Sequence, residues 1–161
     1  MTTMNRRTLL VGAGTALAAA ALGAAFAHGR RGLAPARVFS EGGLAIRGTD
    51  PVAYFTRGAP RAGDPALTHD WAGATWAFES AGNRDRFAAE PSAYAPRYGG
   101  FCAWAVAAKG QLFSTRPENW AIVDGRLYLN FDDAVQAMWN ADRAGFIAEA
   151  DRRWPEIIAA A

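Results

Sequence analysis

The sequence predicts an α+β fold, in which a small antiparallel sheet of hairpins packs against an internal helix and C-terminal helices. Two dipeptides, Ala72-Gly73 and Asp124-Gly125, each separate short runs of apolar, aromatic or β-branched residues, as hairpin turns do. Between residues 135 and 154 the apolar residues recur at spacings of three and four, which indicates amphipathic helix. Hairpins followed by helices predict one α+β domain.

The charge balance argues against nucleic acid as a partner. The chain carries 17 Lys and Arg against 15 Asp and Glu. Arg6 and Arg7 belong to the predicted leader, so its removal leaves 15 basic and 15 acidic residues. Beyond Arg30, Arg31 and Arg37, no stretch concentrates basic residues, whereas a nucleic-acid-binding surface requires such clustering.

Residues 1–27 are typical of an export signal. Arg6 and Arg7 precede an uncharged, mostly apolar run from Leu9 to Phe26, and Ala25-Phe26-Ala27 supplies small residues for cleavage. The arginine pair is similar to a twin-arginine signal, although such pairs also occur in Sec signals. An uncleaved anchor, which would be the chain's one membrane contact, is disfavoured because the run is short and rich in Ala and Gly. The sequence predicts a periplasmic or otherwise exported protein.

The first part of the mature chain is predicted to be a flexible linker over residues 28–43, which is rich in Gly and Arg and has no periodicity. The domain is expected over residues 44–158. Val52–Phe55 is a short strand candidate that follows a turn. Leu67–Trp71 and Ala74–Phe78 are expected to form a hairpin.

An internal helix is predicted to begin after Ser80, which is a favourable N-cap residue, and to run to Ala89. Pro91 is expected to end it. A second proline, Pro96, suggests that Ser92–Tyr98 is irregular.

Phe101–Ala108 is predicted to be helical, because Lys109-Gly110 is a favourable helix ending. A buried strand is the alternative, since a short apolar run has no decisive periodicity. Pro117–Trp120 is expected to form one helical turn.

The C-terminal part begins with a hairpin over Ile122–Leu129 around its Asp-Gly turn. Asp132 or Asp133 is expected to start the last helical region. Gly145 should interrupt that region, and Trp154-Pro155 should end it.

Several short sequence motifs occur in the order in which they are found in the YHS domain family. They are Asp50-Pro51-Val52-Ala53-Tyr54-Phe55, Trp71-Ala72-Gly73-Ala74-Thr75-Trp76-Ala77-Phe78, Asn83-Arg84-Asp85-Arg86-Phe87, Pro91 with Tyr94, Tyr98-Gly99-Gly100-Phe101-Cys102-Ala103, Asp124-Gly125-Arg126-Leu127-Tyr128-Leu129-Asn130 and Trp154-Pro155. From Asp50 to Pro155 the chain therefore resembles a YHS domain in its longer, exported form.

This resemblance implies metal binding, because short YHS domains are similar to cysteine-rich metal-binding knuckles and occur beside heavy-metal transporters and oxygenase components. The matching region here, Trp76 to Tyr94, contains no cysteine. Where short members carry sulfur ligands, this chain has Ala77, Glu79, Ser80 and Asn83.

Cys102, the one cysteine of the chain, is the first candidate functional residue. In the first turn of a helix it would be a stabilised thiolate, and so a nucleophile, redox sensor or metal ligand. The alternative is that it packs beside neighbouring aromatic rings. The residues expected to line a ligand site around it are Tyr54, Tyr98, Gly99, Gly100, Cys102 and Trp104.

Two histidines are the other candidates. His69 could act as a base for Cys102, or bind a transition metal with it, although a lone strand histidine is more often a packing residue. His28 would become the N-terminus after cleavage, where its amine and imidazole could chelate Cu(II).

The sequence therefore supports two functions. The first is an exported YHS-like binding or accessory protein that handles a metal ion or small ligand near Cys102. The alternative is a thiol-dependent redox enzyme that uses Cys102 with His69. The first is favoured, because no full catalytic set can be assembled from the sequence.

Overall fold

The computed structural model describes residues 38–160. The predicted export signal, His28 and the first part of the predicted linker lie outside them. The strands are β1 (Ser40–Glu41), β2 (Leu44–Ala45), β3 (Asp64–Trp71), β4 (Ala74–Phe78), β5 (Trp120–Val123) and β6 (Arg126–Leu129). The helices are α1 (Ala53–Thr56), α2 (Ala81–Ala89), α3 (Pro91–Tyr94), α4 (Ala103–Lys109), α5 (Asp133–Ala141) and α6 (Arg143–Ala159). None of these helices is both long and apolar enough to cross a bilayer.

The predicted α+β class is confirmed, and the strands form three separate antiparallel hairpins: β1–β2, β3–β4 and β5–β6. In β3–β4, Trp71 is opposite Ala74 across the Ala72-Gly73 turn. In β5–β6, Val123 is opposite Arg126. Both residues of the Asp124-Gly125 turn have positive φ, 50° and 72°, as a type I′ turn requires.

The folded domain includes residues 38–43, the last part of the predicted linker. The side chain of Phe39 is 9% exposed, and its N–H donates to the carbonyl of Gly99 at 2.9 Å. Ser40 is opposite Ala45 in the first hairpin. Packing of Phe39 and these backbone contacts therefore join the segment to the rest of the domain.

Asp50 is a fully buried carboxylate that accepts four hydrogen bonds. Its Oδ1 accepts the backbone N–H groups of Val52 (2.8 Å) and Ala53 (3.3 Å). Its Oδ2 accepts the backbone N–H of Glu79 (2.9 Å) and the side-chain amide of Asn83 (2.7 Å). One side chain thus joins the start of α1 to the end of β4 and to α2.

The strand predicted over Val52–Phe55 is wrong, because these residues enter the helix α1. A carboxylate that accepts N–H groups two and three residues later supports a helical turn in place of an extended chain. Asp50 makes those bonds, and Ala53 and Tyr54 are buried as a result.

The internal helix α2 forms as predicted, since the Ser80 hydroxyl accepts the N–H of Asn83 at 3.2 Å. The irregular conformation predicted for Ser92–Tyr98 is wrong in part. Pro91 is the first residue of α3, a position where its missing N–H costs nothing. A 3₁₀ turn then spans Arg97–Gly100.

The predicted helix over Phe101–Ala108 forms as α4, but it begins two residues later, at Ala103, and it ends at Lys109, with Gly110 as the C-cap residue at a φ of 64°. The helical turn predicted over Pro117–Trp120 is wrong, because Trp120 begins β5. The carbonyl of Asn119 accepts the N–H of Asn130 at 2.7 Å, which extends the β5–β6 pairing by one step.

The C-terminal helices start as predicted but break and end elsewhere. Asp132 caps α5, and its Oδ1 accepts the N–H of Val135 at 2.8 Å. The break lies at Asp142, not at Gly145, which is in the first turn of α6. Pro155 lies inside α6, which continues to Ala159, because a proline removes a single N–H and the helix keeps its packed face.

Two clusters of buried side chains form the core. The first joins the β3–β4 and β5–β6 hairpins to α1 and α2, and the second joins β5–β6 to α4, α5 and α6. The largest members of the first are Tyr54, Trp76, Phe78, Phe87 and Leu127, and those of the second are Tyr98, Val106, Tyr128 and Trp139.

We expect Asp50→Ala to lower the free energy of unfolding by about 2–4 kcal/mol, because it leaves buried N–H groups without an acceptor. Urea denaturation measures the difference. Asp85→Ala is the matched control, since Asp85 is an exposed carboxylate of α2 and its loss should cost no more than about 0.5 kcal/mol. Equal effects of the two substitutions would contradict the role given to Asp50.

Candidate functional site

Cys102 lies at the N-cap of α4 with 0% of its surface exposed. Its thiol donates to Oδ1 of Asn130, with a distance of 3.6 Å from Sγ. The same Oδ1 accepts the N–H of Trp104 at 3.1 Å. The backbone N–H of Cys102 donates to the carbonyl of Phe113 at 3.1 Å. The side chain of Cys102, the N-cap residue, accepts no hydrogen bond from the first turn of α4. Asn130 supplies the capping oxygen instead.

Burial raises the pKa of the Cys102 thiol above its ordinary value. Nearby backbone N–H groups, among them that of Trp104, lower the pKa as a helix start is expected to do. Desolvation is the larger effect, since it penalises the charged thiolate. At neutral pH the thiol is therefore protonated and shielded, which makes it a poor nucleophile.

His69 lies in β3, opposite Trp76, and its ring centroid is 6.1 Å from that of Phe87. The side chain is half-buried against the first cluster. Within residues 38–160, no hydrogen bond or ring contact joins it to Cys102. These contacts are those of a packing residue, which is the usual role of a single histidine in a strand.

The predicted ligand residues Tyr98, Gly99 and Gly100 have left-handed φ values of 54°, 61° and 80°. A Cβ at Gly100 would lie 2.5 Å from Cγ2 of Ile46, and the carbonyl of Gly99 accepts the N–H of Phe39. The glycine pair therefore allows the N-terminal segment of the domain to approach this backbone closely.

The Tyr98 hydroxyl anchors α6. It donates to Oδ1 of Asp151 at 3.0 Å, and Nη2 of Arg97 donates to the same oxygen at 3.0 Å. Burial and then the Asp151 carboxylate raise the pKa of the Tyr98 hydroxyl. The tyrosine stays neutral and serves as a structural donor.

The remaining predicted ligand residues, Tyr54 and Trp104, lie in different parts of the core. The Tyr54 hydroxyl donates to the carbonyl of Pro117 at 3.0 Å, and its ring meets Trp120 edge to face at 5.2 Å. Burial raises the pKa of Tyr54. Trp104 packs against the second cluster beneath Lys109, whose Nζ is 5.7 Å from a ring centroid. The predicted ligand set is thus divided between two clusters.

The described residues contain no group of three or more His, Cys, Asp or Glu side chains that could hold a metal ion. A soft transition metal requires several thiolate or imidazole ligands. Cys102 and His69, the predicted metal ligands, have separate surroundings. His28, the other predicted ligand, is outside the described residues.

A groove of about 610 Å³ lies between the end of α4 and the C-terminal half of α6, and we call it the α4–α6 groove. It is lined by Gly110, Gln111, Leu112, Arg152, Arg153, Glu156, Ile157 and Ala160. Its lining combines apolar side chains with two guanidinium groups and one carboxylate. A volume of this size is within the range of small-molecule sites.

Both groove arginines contact Glu149, one turn earlier on α6. Arg152 donates from Nε (3.0 Å) and Nη2 (2.7 Å), whereas Arg153 donates from Nε. These guanidinium groups lower the pKa of Glu149 to about 2. Within the described part of the chain, the two terminal nitrogens of Arg153 have no hydrogen-bond partner, and Nη1 lies beside Gly110. They remain available to an anion.

Three residues of the site, Asn130, Arg152 and Arg153, were not predicted from the sequence. Asn130 follows β6 in the sequence, and its contacts with α4 come from residues 26 and 28 positions away, which no local pattern reveals. For Arg152 and Arg153 there was a signal, since Glu149 precedes them at helical spacings of three and four.

We expect the native Cys102 thiol to react with a disulfide reagent at least on the order of 100-fold more slowly than in the urea-unfolded chain, because its sulfur is buried and protonated. Absorbance of the released thiolate at pH 8 measures the rate. Ala88→Cys in a Cys102→Ser chain is the control, since Ala88 is exposed on α2 and should be labelled at the unfolded rate. Rapid labelling of native Cys102 would contradict its burial.

Comparisons with known proteins give no family assignment. The chain matched no family model, no curated protein and no solved structure. The resemblance to YHS domains is therefore still a prediction, which rests on the sequence motifs between Asp50 and Pro155.

Proposed function

We propose that this chain is an exported, YHS-like binding or accessory protein without a catalytic thiol, and that it binds a small amphipathic carboxylate in the α4–α6 groove. The observation that carries this proposal is the lining of that groove, in which a guanidinium with unused donors adjoins apolar side chains. The ligand site is placed here and not beside Cys102, because Cys102 exposes no surface.

The class of ligand follows from the charged and the apolar side chains that line the groove. Nη1 and Nη2 of a guanidinium form a planar pair of donors that matches the two oxygens of a carboxylate. Leu112 and Ile157 supply apolar surface for a hydrocarbon chain. Glu149 and Glu156 balance the charges of Arg152 and Arg153, so the unused donors of Arg153, and not a surplus of positive charge, would hold one carboxylate, and a second negative charge would be repelled. One carboxylate on an apolar chain fits best.

The alternative, a thiol-dependent redox enzyme, has less support. Such an enzyme needs an accessible thiolate and a base close to it. Three observations on the described residues weigh against that chemistry: Cys102 is buried, its thiol donates to Asn130, and no hydrogen bond joins it to His69, which packs on Phe87.

We expect octanoate to bind the protein with one site per chain and a dissociation constant between about 10 µM and 1 mM, as for a small ligand with one ionic contact. Isothermal titration calorimetry measures both quantities. Arg153→Ala should weaken binding about tenfold or more, since it removes the charged hydrogen bonds.

Two controls make this experiment specific. Arg61→Ala removes an exposed arginine far along the chain from the groove and should leave the affinity unchanged. Octanol keeps the apolar chain but lacks the charge, so it should bind more weakly than octanoate. Absence of saturable binding, or equal losses in the two arginine variants, would contradict the proposed ligand site.

We expect the exported protein to begin at His28, because cleavage would follow Ala25-Phe26-Ala27. N-terminal sequencing of the periplasmic fraction checks this. If the signal is of the twin-arginine type, Arg6→Lys with Arg7→Lys should strongly reduce export. The matched control, Arg30→Lys with Arg31→Lys, lies after the cleavage site and should not. Equal export of both variants would overturn the twin-arginine route.

A further inference from the structure

The α4–α6 groove contains a carboxylate as well as the guanidinium with unused donors. Glu156 lines the groove, and its side chain is exposed. Arg152 and Arg153 precede it by four and three residues, the spacings at which opposite charges on a helix usually pair. Both arginines contact Glu149 instead. Among residues 38–160, no side chain donates a hydrogen bond or forms a salt bridge to the Glu156 carboxylate.

Arg153 and Glu156 are neighbours on the surface of α6. Residues three apart on a helix have Cβ atoms about 5–6 Å from each other. Within the described part of the chain, the terminal nitrogens of Arg153 have no acceptor, and they form no salt bridge with Glu156. A pair of hydrogen-bond donors and a pair of acceptors, both unused, therefore lie side by side in one groove.

The charges around the groove sum to zero. The two guanidinium groups of Arg152 and Arg153 are balanced by the carboxylates of Glu149 and Glu156. A ligand that carries only a carboxylate would add one net negative charge close to Glu156. A ligand that also carries a cationic group would keep the balance and would give the Glu156 carboxylate a partner.

Apolar side chains adjoin this charged pair from both walls of the groove. Ile157 follows Glu156 on α6, and Leu112 lies on the segment after α4. Both side chains are half-buried, so each keeps part of its apolar surface open to the groove. A hydrocarbon group on the ligand would cover that surface.

We propose that the ligand of the α4–α6 groove is a zwitterionic α-amino acid with an apolar side chain, such as leucine. Arg153 donates to its carboxylate, the carboxylate of Glu156 accepts from its ammonium group, and Leu112 and Ile157 contact its side chain. In an α-amino acid both charged groups are attached to one carbon atom, so they can reach adjacent residues of a helix at the same time. This inference rests on the carboxylate contact proposed above and adds Glu156 as the residue that recognises the ammonium group.

Isothermal titration calorimetry at neutral pH with leucine and with 4-methylpentanoate tests the role of the ammonium group. The second compound has the carboxylate and the hydrocarbon chain of leucine but lacks the amine. We expect leucine to bind with one site per chain and about fivefold or more tighter, as for one additional exposed ion pair. Glu156→Gln should remove this difference. Glu90→Gln, which neutralises an exposed carboxylate after α2, should preserve it.

The possible failures separate this inference from the proposed function. If 4-methylpentanoate binds and leucine binds no tighter, the carboxylate site stands and the amino-acid assignment is wrong. If Glu156→Gln keeps the full preference for leucine, the ammonium group is recognised elsewhere and the assignment to Glu156 is wrong. If neither compound shows saturable binding, the ligand site in the groove is wrong as well.

Discussion

The side-chain amide of Asn130 joins β6 to the start of α4 and to α5. This residue is fully buried, and its Oδ1 accepts both the Cys102 thiol and the N–H of Trp104. Its Nδ2 donates to Gln136 of α5 at 3.0 Å, and its carbonyl accepts the N–H of Arg116. One side chain therefore fixes α4 and α5 relative to β6. A buried amide that lacks a hydrogen-bond partner costs free energy, so a change that breaks one of these contacts should weaken the others.

That arrangement explains why the lone cysteine is a structural residue. At a helix start, backbone N–H groups favour a thiolate, and here Asn130 offers an acceptor that requires the protonated thiol. Burial adds to the same preference. The chemically distinctive residue of the sequence is thus used in packing. The surface with unused hydrogen-bond donors lies elsewhere, at the end of α4 beside Arg153.

The sequence predicted elements whose causes are local, and failed where the cause was a distant residue. Ser80, Asp124-Gly125 and Lys109-Gly110 each act on the next few residues, so their cap or turn could be predicted. The helix at Ala53 depends on Asp50, whose burial depends in turn on Asn83, 33 residues later. Cys102 could be chosen as a candidate from the sequence, but its hydrogen bond to Asn130 could not be predicted, because Asn130 lies 28 residues later.

The proposed ligand site lies at the C-terminal half of α6, far from the break that separates α6 from α5. The helix starts at Arg143, beside the end of α5, and its C-terminal half lines the groove from Arg152 onward. At 1.5 Å per residue, Arg143 and Glu156 are separated by roughly 20 Å along the helix axis. The guanidinium of Arg153 is held by Glu149 of the same helix, so the donors proposed to bind the ligand are positioned within α6 itself.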